Sequence, residues 1–157
     1  NQIDFDLVEM LAELKEMFQV KAKAKSLQLE FKLTPQVPRL IKSDRLKLRQ
    51  VLINLLDNGI KFTDRGKVSL TVTPIESAES GLKLLFSVSD TGVGIGEDEM
   101  PHLFTPFLQT KAGIATAKGT GLGLTISRKY IQLLGGDIAV KSQIGQGATL
   151  QFKIGVI

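Results

Sequence analysis

Residues Asp44–Thr63 read DRLKLRQVLINLLDNGIKFT, and this stretch organises the interpretation of the whole chain. At about 100° per residue it predicts a helix that is apolar around most of its circumference. The apolar positions are Leu48, Val51, Leu52, Leu55, Leu56, Ile60 and Phe62, and the polar stripe between them holds Lys47, Gln50, Asn54, Asp57, Asn58 and Lys61. We therefore expect a helix that other parts of the protein nearly surround.

The polar stripe holds residues that an ordinary solvated helix face would not favour. An asparagine costs up to about 0.7 kcal/mol and a glycine about 1 kcal/mol relative to alanine inside a helix, and Asn54, Asn58 and Gly59 lie there together. Two carboxamides one turn apart, with Lys61 one turn later, suit a metal-bound polyphosphate, because amide oxygens ligate Mg²⁺ and an ammonium attracts phosphate. A wet helix face built of poor helix formers is the alternative.

Length and composition predict one globular domain over residues 1–157. The chain is 43% apolar and 23% charged, which is typical of a folded domain with a single core. It has no cysteine, which excludes disulfides and thiolate metal sites and is compatible with a reducing cytoplasm. No apolar run reaches the roughly 18 residues that cross a bilayer. The lysines behind the net charge of +4 are scattered, so neither a nucleic-acid partner nor direct membrane contact is expected.

The remaining patterns alternate between strands and helices. Period-2 alternation predicts strands over 1–6, 27–33, 67–73, 82–90, 137–142 and 148–154, and helical spacing predicts two further helices over 7–26 and about 122–134. The strands over 67–73 and 82–90 should pair antiparallel. Asp6 and Asp44 (or Ser43) are the expected helix N-caps. The chain starts and stops within patterned sequence, which suggests a module of a longer protein.

Asp90 ends the strand over 82–90 in phase with its buried residues. A carboxylate in that position is costly unless hydrogen bonds are donated to it, so we expect a dedicated partner. The segment TGVGIG follows at 91–96, where glycines let the backbone turn tightly and a ligand come close. An ordinary glycine-rich loop capped by Asp90 is the alternative.

A second glycine-rich segment, Gly119–Gly123, leads into the helix predicted over 122–134. Glycines at a helix N-terminus expose backbone N–H groups and make an anion site. The residues before it, 108–118, carry little periodicity and few large apolar groups. We therefore predict a lid over about 97–120.

These motifs fit neither the P-loop nor the dinucleotide fingerprint that follows a first strand. The chain instead resembles the catalytic and ATP-binding domain of a sensor histidine kinase, in the superfamily shared with DNA gyrase, mismatch-repair ATPases and the large heat-shock chaperones. The resemblance covers almost the whole chain. It rests on an N box at 54–63, a G1 box at 90–94, an F box at Phe104 and Phe107, a G2 box at 119–124 and a last glycine turn at Gly145 and Gly147.

The resemblance implies an α/β fold, the two-layer Bergerat sandwich, in which a mixed, mostly antiparallel sheet of about five strands packs against three helices and ATP lies between helices and lid. By that analogy Asp90 accepts a hydrogen bond from the adenine amino group and Phe62 walls the base. Asn58 would ligate Mg²⁺, and Asn54 and Lys61 would contact the metal shell or the phosphates. Asn54, Asn58 and Lys61 would form the catalytic set.

Other residues would line the pocket or cradle the phosphates in the same analogy. They are Gly92, Gly94, Ile95, Lys118, Gly119, Thr120, Gly121, Leu122, Gly123, Leu124 and Thr149. Lys111 and Lys118 would contact phosphates from the lid, unless they are simply solvated.

Asn54 departs from the hydrolysing members of the superfamily, which carry a glutamate at this position to activate water. A carboxamide cannot act as that general base. The resemblance therefore implies a domain that holds Mg-ATP for transfer to a histidine on a separate dimerisation domain of the same protein, in two-component signalling with a cognate response regulator as indirect partner. His102 lacks the phosphoacceptor context and is expected on the surface or lid, so the domain alone should not phosphorylate itself.

Two other functions stay open on the sequence alone. One is a degenerate nucleotide-binding module that only regulates a partner, and the other is an ATPase of the gyrase class. The isolated domain is expected to be a cytoplasmic monomer, whether or not its parent protein is anchored in a membrane.

Overall fold

The structure is a computed structural model that describes residues 1–77, 79, 81–98, 100 and 123–156. Its helices are α1 (Leu7–Ala24), α2 (Arg45–Lys61) and α3 (Gly123–Leu133). Its strands are β1 (Ile3–Asp6), β2 (Gln28–Leu33), β3 (Leu40–Ser43), β4 (Lys67–Ser77), β5 (Gly81–Asp90), β6 (Ile138–Gln143) and β7 (Gly147–Gly155). In this part of the chain no helix is both long and apolar enough to cross a membrane.

Five of the described strands form one mixed sheet in the order β2-β4-β5-β7-β6. β2 runs parallel to β4, whereas β4 with β5, β5 with β7 and β7 with β6 are antiparallel, as predicted for the first of these pairs. β5 is the central strand, and its last residue Asp90 lies opposite Val68 of β4 and Ala148 of β7. The register thus brings the ends of three strands together at Asp90.

The helices cover one face of this sheet, and the core lies between the two layers. The inward side chains of β4, β5 and β7 follow the alternation read from the sequence, and the rings of Phe86 and Phe152 stack with centroids 5.1 Å apart. α1 contacts β2 and α2, while α3 contacts α2. The prediction of three helices packed against a mixed five-stranded sheet is confirmed.

α2 is the central helix of the helical layer, and both of its ends are capped. Its N-cap is Asp44, as predicted, whose side chain accepts a hydrogen bond from the backbone N–H of Lys47. At the other end the Lys25 ammonium, from the residue after α1, donates to the carbonyls of Ile60 at 2.7 Å and Lys61 at 3.2 Å. The last carbonyls of a helix have no partner within it, so Lys25 caps α2 from its neighbour.

β3 is a described strand that the sequence pattern did not predict. It is four residues long, and four residues of alternation do not distinguish a strand from a loop. Only Ile41 and Ser43 of β3 are buried, opposite Phe5 and Ile3 of β1. β1 pairs with β3 in a two-stranded sheet that is separate from the main sheet.

Candidate functional site

A cleft opens where α2, the end of β5 and the start of α3 meet. About 540 Å³ of space lies between its walls, part of it continuous with the solvent. Six predicted site residues line it, namely Asn58, Phe62, Asp90, Gly94, Ile95 and Leu124. The other lining residues are apolar or glycine, among them Leu55, Val88 and Leu150. Within the described residues, the cleft is therefore an apolar slot with polar side chains at Asp90 and Asn58.

Asp90 is held from two segments. Its Oδ1 accepts hydrogen bonds from the backbone N–H of Gly92 at 2.9 Å and of Ala148 at 3.3 Å. Burial raises the pKa of Asp90, and those two N–H groups oppose the rise, as does the buried Thr63 hydroxyl close to the carboxylate. Because both of these hydrogen bonds reach one oxygen, the other oxygen is the natural acceptor for a ligand. The dedicated partners expected for this acid are thus backbone amides.

The two N-box asparagines have different surroundings. Asn58 lines the cleft, but the Asn54 amide nitrogen donates to Ser127 Oγ at 3.2 Å and to the Gly123 carbonyl at 3.5 Å. The Asn54 oxygen accepts a hydrogen bond from Gln50 at 3.0 Å. Because Ser127 is fully buried in α3, Asn54 fastens α2 to the first turns of α3 in this structure. Asn54 is therefore not among the residues that line the cleft.

Lys61 is engaged in an ion pair outside the cleft lining. Its ammonium lies 3.0 Å from Asp57 Oδ2, and the ammonium of Lys21 on α1 lies 3.3 Å from Asp57 Oδ1. Asp57 thus holds two lysines that belong to different helices. For Lys61 to reach a phosphate in the cleft, it has to exchange this carboxylate for the ligand.

Thr149 lies on the far face of β7, which corrects the pocket position that the resemblance implied for it. Side chains alternate between the faces of a strand, and its neighbours Ala148 and Leu150 line the cleft. The Thr149 hydroxyl is instead 2.9 Å from the Ser89 hydroxyl. Ala148 therefore meets the cleft where Thr149 was expected.

Sequence reasoning missed Ala148, which donates the second hydrogen bond to Asp90. That contact depends on the register between β5 and β7, strands separated by more than fifty residues of chain. No local pattern around Ala148 signals it. Thr63, the last residue of the N box, was given no role from the sequence, although it is fully buried.

Of the predicted G2 residues, the structure describes Gly123, the first residue of α3, whose carbonyl faces Asn54, and Leu124 in the cleft. Several predictions lie outside the described residues, together with most of the expected lid. They concern His102, Phe104, Phe107, Lys111, Lys118, Gly119, Thr120, Gly121 and Leu122.

Comparison with known proteins identifies the family of this chain. Residues 43–156 match the family described as histidine kinase-, DNA gyrase B-, and HSP90-like ATPase. The sensory/regulatory protein RpfC of Xanthomonas campestris is 39% identical over 153 residues, which are 96% of this chain and 21% of RpfC. The chain therefore spans about a fifth of the length of that curated relative.

Solved structures of histidine kinases share the fold. The nucleotide-free catalytic domain of histidine kinase ThkA has a TM-score of 0.78 and 31% identity, covering 98% of this chain and 97% of that one. Full-length ShkA in complex with AMPPNP has a TM-score of 0.85 and 30% identity, covering 99% of this chain and 31% of that one. ThkA in complex with the response regulator protein TrrA also matches, with a TM-score of 0.74 and 28% identity over 98% of this chain and 41% of that one.

The resemblance drawn from the motifs is confirmed by these matches. The chain belongs to the family of histidine kinase-, DNA gyrase B- and HSP90-like ATPases, as a catalytic domain of the histidine kinase type.

Proposed function

We propose that this domain binds Mg-ATP in the cleft and donates the γ-phosphate to a histidine on a separate dimerisation domain of its parent protein. The observation that supports this most directly is that Asp90 and Asn58 line one apolar slot. The first suits a base and the second suits the metal-bound phosphates beyond it. The AMPPNP complex of the structural neighbour ShkA is in keeping with such a ligand.

The apolar part of the cleft fits an adenine ring. Val88, Ile95 and Leu124 offer apolar surface to a flat heterocycle. Adenine carries a donor amino group where guanine carries an acceptor oxygen. A carboxylate at Asp90 therefore accepts a hydrogen bond from adenine and repels the guanine oxygen, so ATP should be preferred to GTP.

The polar part of the cleft fits a metal that the ligand itself helps to hold. The described residues contain no cluster of three or more His, Cys, Asp or Glu side chains suited to a metal ion. Mg²⁺ usually keeps several waters and binds through substrate phosphates and one or two protein oxygens, which the Asn58 amide would supply. When bound, Mg²⁺ neutralises charge on the transferred phosphoryl group.

Asn54 distinguishes transfer from hydrolysis in this proposal. Its amide is committed to Ser127 and Gly123, and a carboxamide cannot take a proton from water. The site would therefore act by positioning ATP, and Lys61 would leave Asp57 to contact the phosphates. Rapid hydrolysis of the gyrase type is not expected.

The proposed partners follow from the relatives. The phosphoacceptor histidine would lie elsewhere in the parent protein, and a response regulator would take the phosphoryl group from it. The ThkA complex with TrrA supports a partner of this class. We place the domain in the cytoplasm, where ATP and such regulators meet.

The test mixes this domain with radiolabelled Mg-ATP and the histidine-bearing fragment of its parent. The label should move to the fragment, and a fragment whose acceptor histidine is replaced by alanine should stay unlabelled. Tight ATP binding without transfer would reject the kinase proposal in favour of a regulatory nucleotide-binding module. Phosphate release that outpaces transfer would favour the gyrase-class ATPase instead.

A further inference from the structure

The turn between β6 and β7 is hydrogen-bonded to the glycine-rich loop 91–96. Ser142 Oγ accepts a hydrogen bond from the Ile95 backbone N–H at 2.7 Å and donates one to the Gly147 carbonyl at 2.9 Å. The Gly145 N–H donates to the Val93 carbonyl at 2.8 Å. Ser142 thus uses one hydroxyl to join the loop to the first residue of β7.

Backbone packing around Ser142 leaves no space between the two segments. Gly94 has a φ of +76°, and a Cβ there would lie 2.1 Å from the Gln143 carbonyl oxygen. Gly147 has a φ of +90°, and a Cβ there would lie 2.0 Å from the Asp90 carbonyl oxygen. Both contacts exclude any side chain, so the loop and the turn lie directly against each other.

The same two segments hold the Asp90 carboxylate. Gly92, one of its donors, belongs to the loop, and Ala148, the other, follows Gly147 on β7. A change in the distance between the segments would therefore move the two donors apart. Val93, Gly94 and Ile95 also line the cleft, so the change would reach the ligand surface as well.

We propose that Ser142 is a positioning residue that fixes the loop 91–96 against the start of β7 and so orients Asp90 toward the base of the bound nucleotide. Ser142 belongs to none of the five motifs and does not line the cleft. Its hydroxyl reaches the ligand site only through the backbone groups of Ile95 and Gly147. The identity of the base as adenine rests on the function proposed above. The contact between the loop and the turn is independent of that proposal.

The test compares Ser142→Ala with Ser142→Thr, which keeps a hydroxyl. The matched control is Ser87→Ala, because Ser87 lies on β5 and its hydroxyl bonds to Gln151 away from the loop. The measurements are the Kd values for ATP and GTP by titration, and the exchange rate of the Ile95 amide hydrogen in the nucleotide-free protein by NMR.

We expect Ser142→Ala to weaken ATP binding by about five- to tenfold, the effect of one lost hydrogen bond, and to weaken GTP binding less. Exchange of the Ile95 amide should be at least about fivefold faster, because its acceptor is gone. Ser142→Thr should remain close to wild type in both respects, and Ser87→Ala should change neither. If the alanine variant folds poorly, Ser142→Val against Ser142→Thr separates the hydroxyl from the packing at equal size.

Unchanged Ile95 exchange in Ser142→Ala would overturn the contact. Faster exchange with an unchanged ratio of ATP to GTP affinity would overturn the role in base recognition and leave a purely structural hydrogen bond. A wild-type protein that binds neither nucleotide would contradict the proposed function and remove base recognition from the inference. The exchange measurement would still decide whether Ser142 holds the loop.

Discussion

The two ends of the cleft are built by different means. At the Asp90 end, backbone N–H groups from Gly92 and Ala148 hold the functional carboxylate in a half-buried position. At the other end, Lys61 is held by the partly exposed side chain of Asp57. Backbone donors are fixed by the fold before any ligand arrives, whereas a surface ion pair is weak and easily exchanged. The base end is therefore preformed, and the phosphate end must rearrange.

The largest expected effect is at the preformed end. Asp90→Asn should lower ATP affinity by about 10- to 100-fold, because the amide oxygen can still accept from Gly92 and Ala148 but the amide NH₂ cannot accept from the adenine amino group as a charged carboxylate oxygen does. The preference for ATP over GTP should shrink as well. Equal affinity for both nucleotides in wild type and variant would show that Asp90 does not recognise the base.

A smaller, metal-dependent loss is expected at the other end. Asn58→Ala should weaken ATP binding by about tenfold in the presence of Mg²⁺ and much less in its absence, since it removes one oxygen ligand. Fluorescent-ATP titrations with and without Mg²⁺ measure both values. A variant that keeps the wild-type response to Mg²⁺ would contradict the assignment of Asn58.

The ion pair at the phosphate end allows a test in which two substitutions act with opposite sign. Asp57→Asn frees Lys61 and should raise ATP affinity by up to about fivefold, the range of an exposed ion pair. Lys21→Met removes the second lysine that shares Asp57. Asp57 should then hold Lys61 more firmly, so ATP affinity should fall slightly. Binding titrations at low salt check both. A loss of affinity in Asp57→Asn would mean that Asp57 orients Lys61 and does not withhold it.

The smallest effect concerns stability without ligand. Burial raises the pKa of Asp90 above the value of 3.8 that applies to the unfolded chain, so ionisation of Asp90 disfavours the folded state. This cost is absent below that value and is complete once the pH exceeds the folded-state pKa. Asp90→Asn should thus raise the free energy of unfolding at pH 7, because the amide carries no charge to desolvate.

Urea denaturation at pH 7 and near pH 4 measures the dependence on pH. The advantage of the Asp90→Asn variant should shrink at the lower pH, where the wild-type carboxyl is increasingly protonated. A variant less stable than wild type at pH 7 would show that the two N–H bonds to the carboxylate outweigh its burial.

Local patterns were enough to predict what local chemistry determines. Both predicted N-caps, Asp6 and Asp44, accept the expected backbone hydrogen bonds. The in-phase position of Asp90 on β5 indicated a buried acid with dedicated donors, and the structure supplies them. Such features depend on a few neighbouring residues, which a sequence shows directly.

Some contacts depend on strand register, on helix packing or on which of two partners a side chain chooses, and these could not be predicted from local sequence. Ala148 reaches Asp90 through strand pairing, and Asn54 reaches Ser127 through the packing of α2 on α3. Asp57 and Lys61 are four residues apart, a spacing that favours an ion pair, yet the lysine was interpreted only as a contact to the metal shell or the phosphates. A side chain with two suitable partners cannot be assigned from sequence, because the choice depends on distances.

The cap that Lys25 places on α2 constrains the length of that helix. The Phe62 carbonyl, just beyond it, accepts a hydrogen bond from the Val93 N–H at 3.4 Å, so the terminus is anchored both to α1 and to the glycine-rich loop. One residue inserted between Asn58 and this anchored terminus would turn Asn58 by about 100° around the helix axis. The amide would then face away from the cleft, although every residue of the N box would still be present.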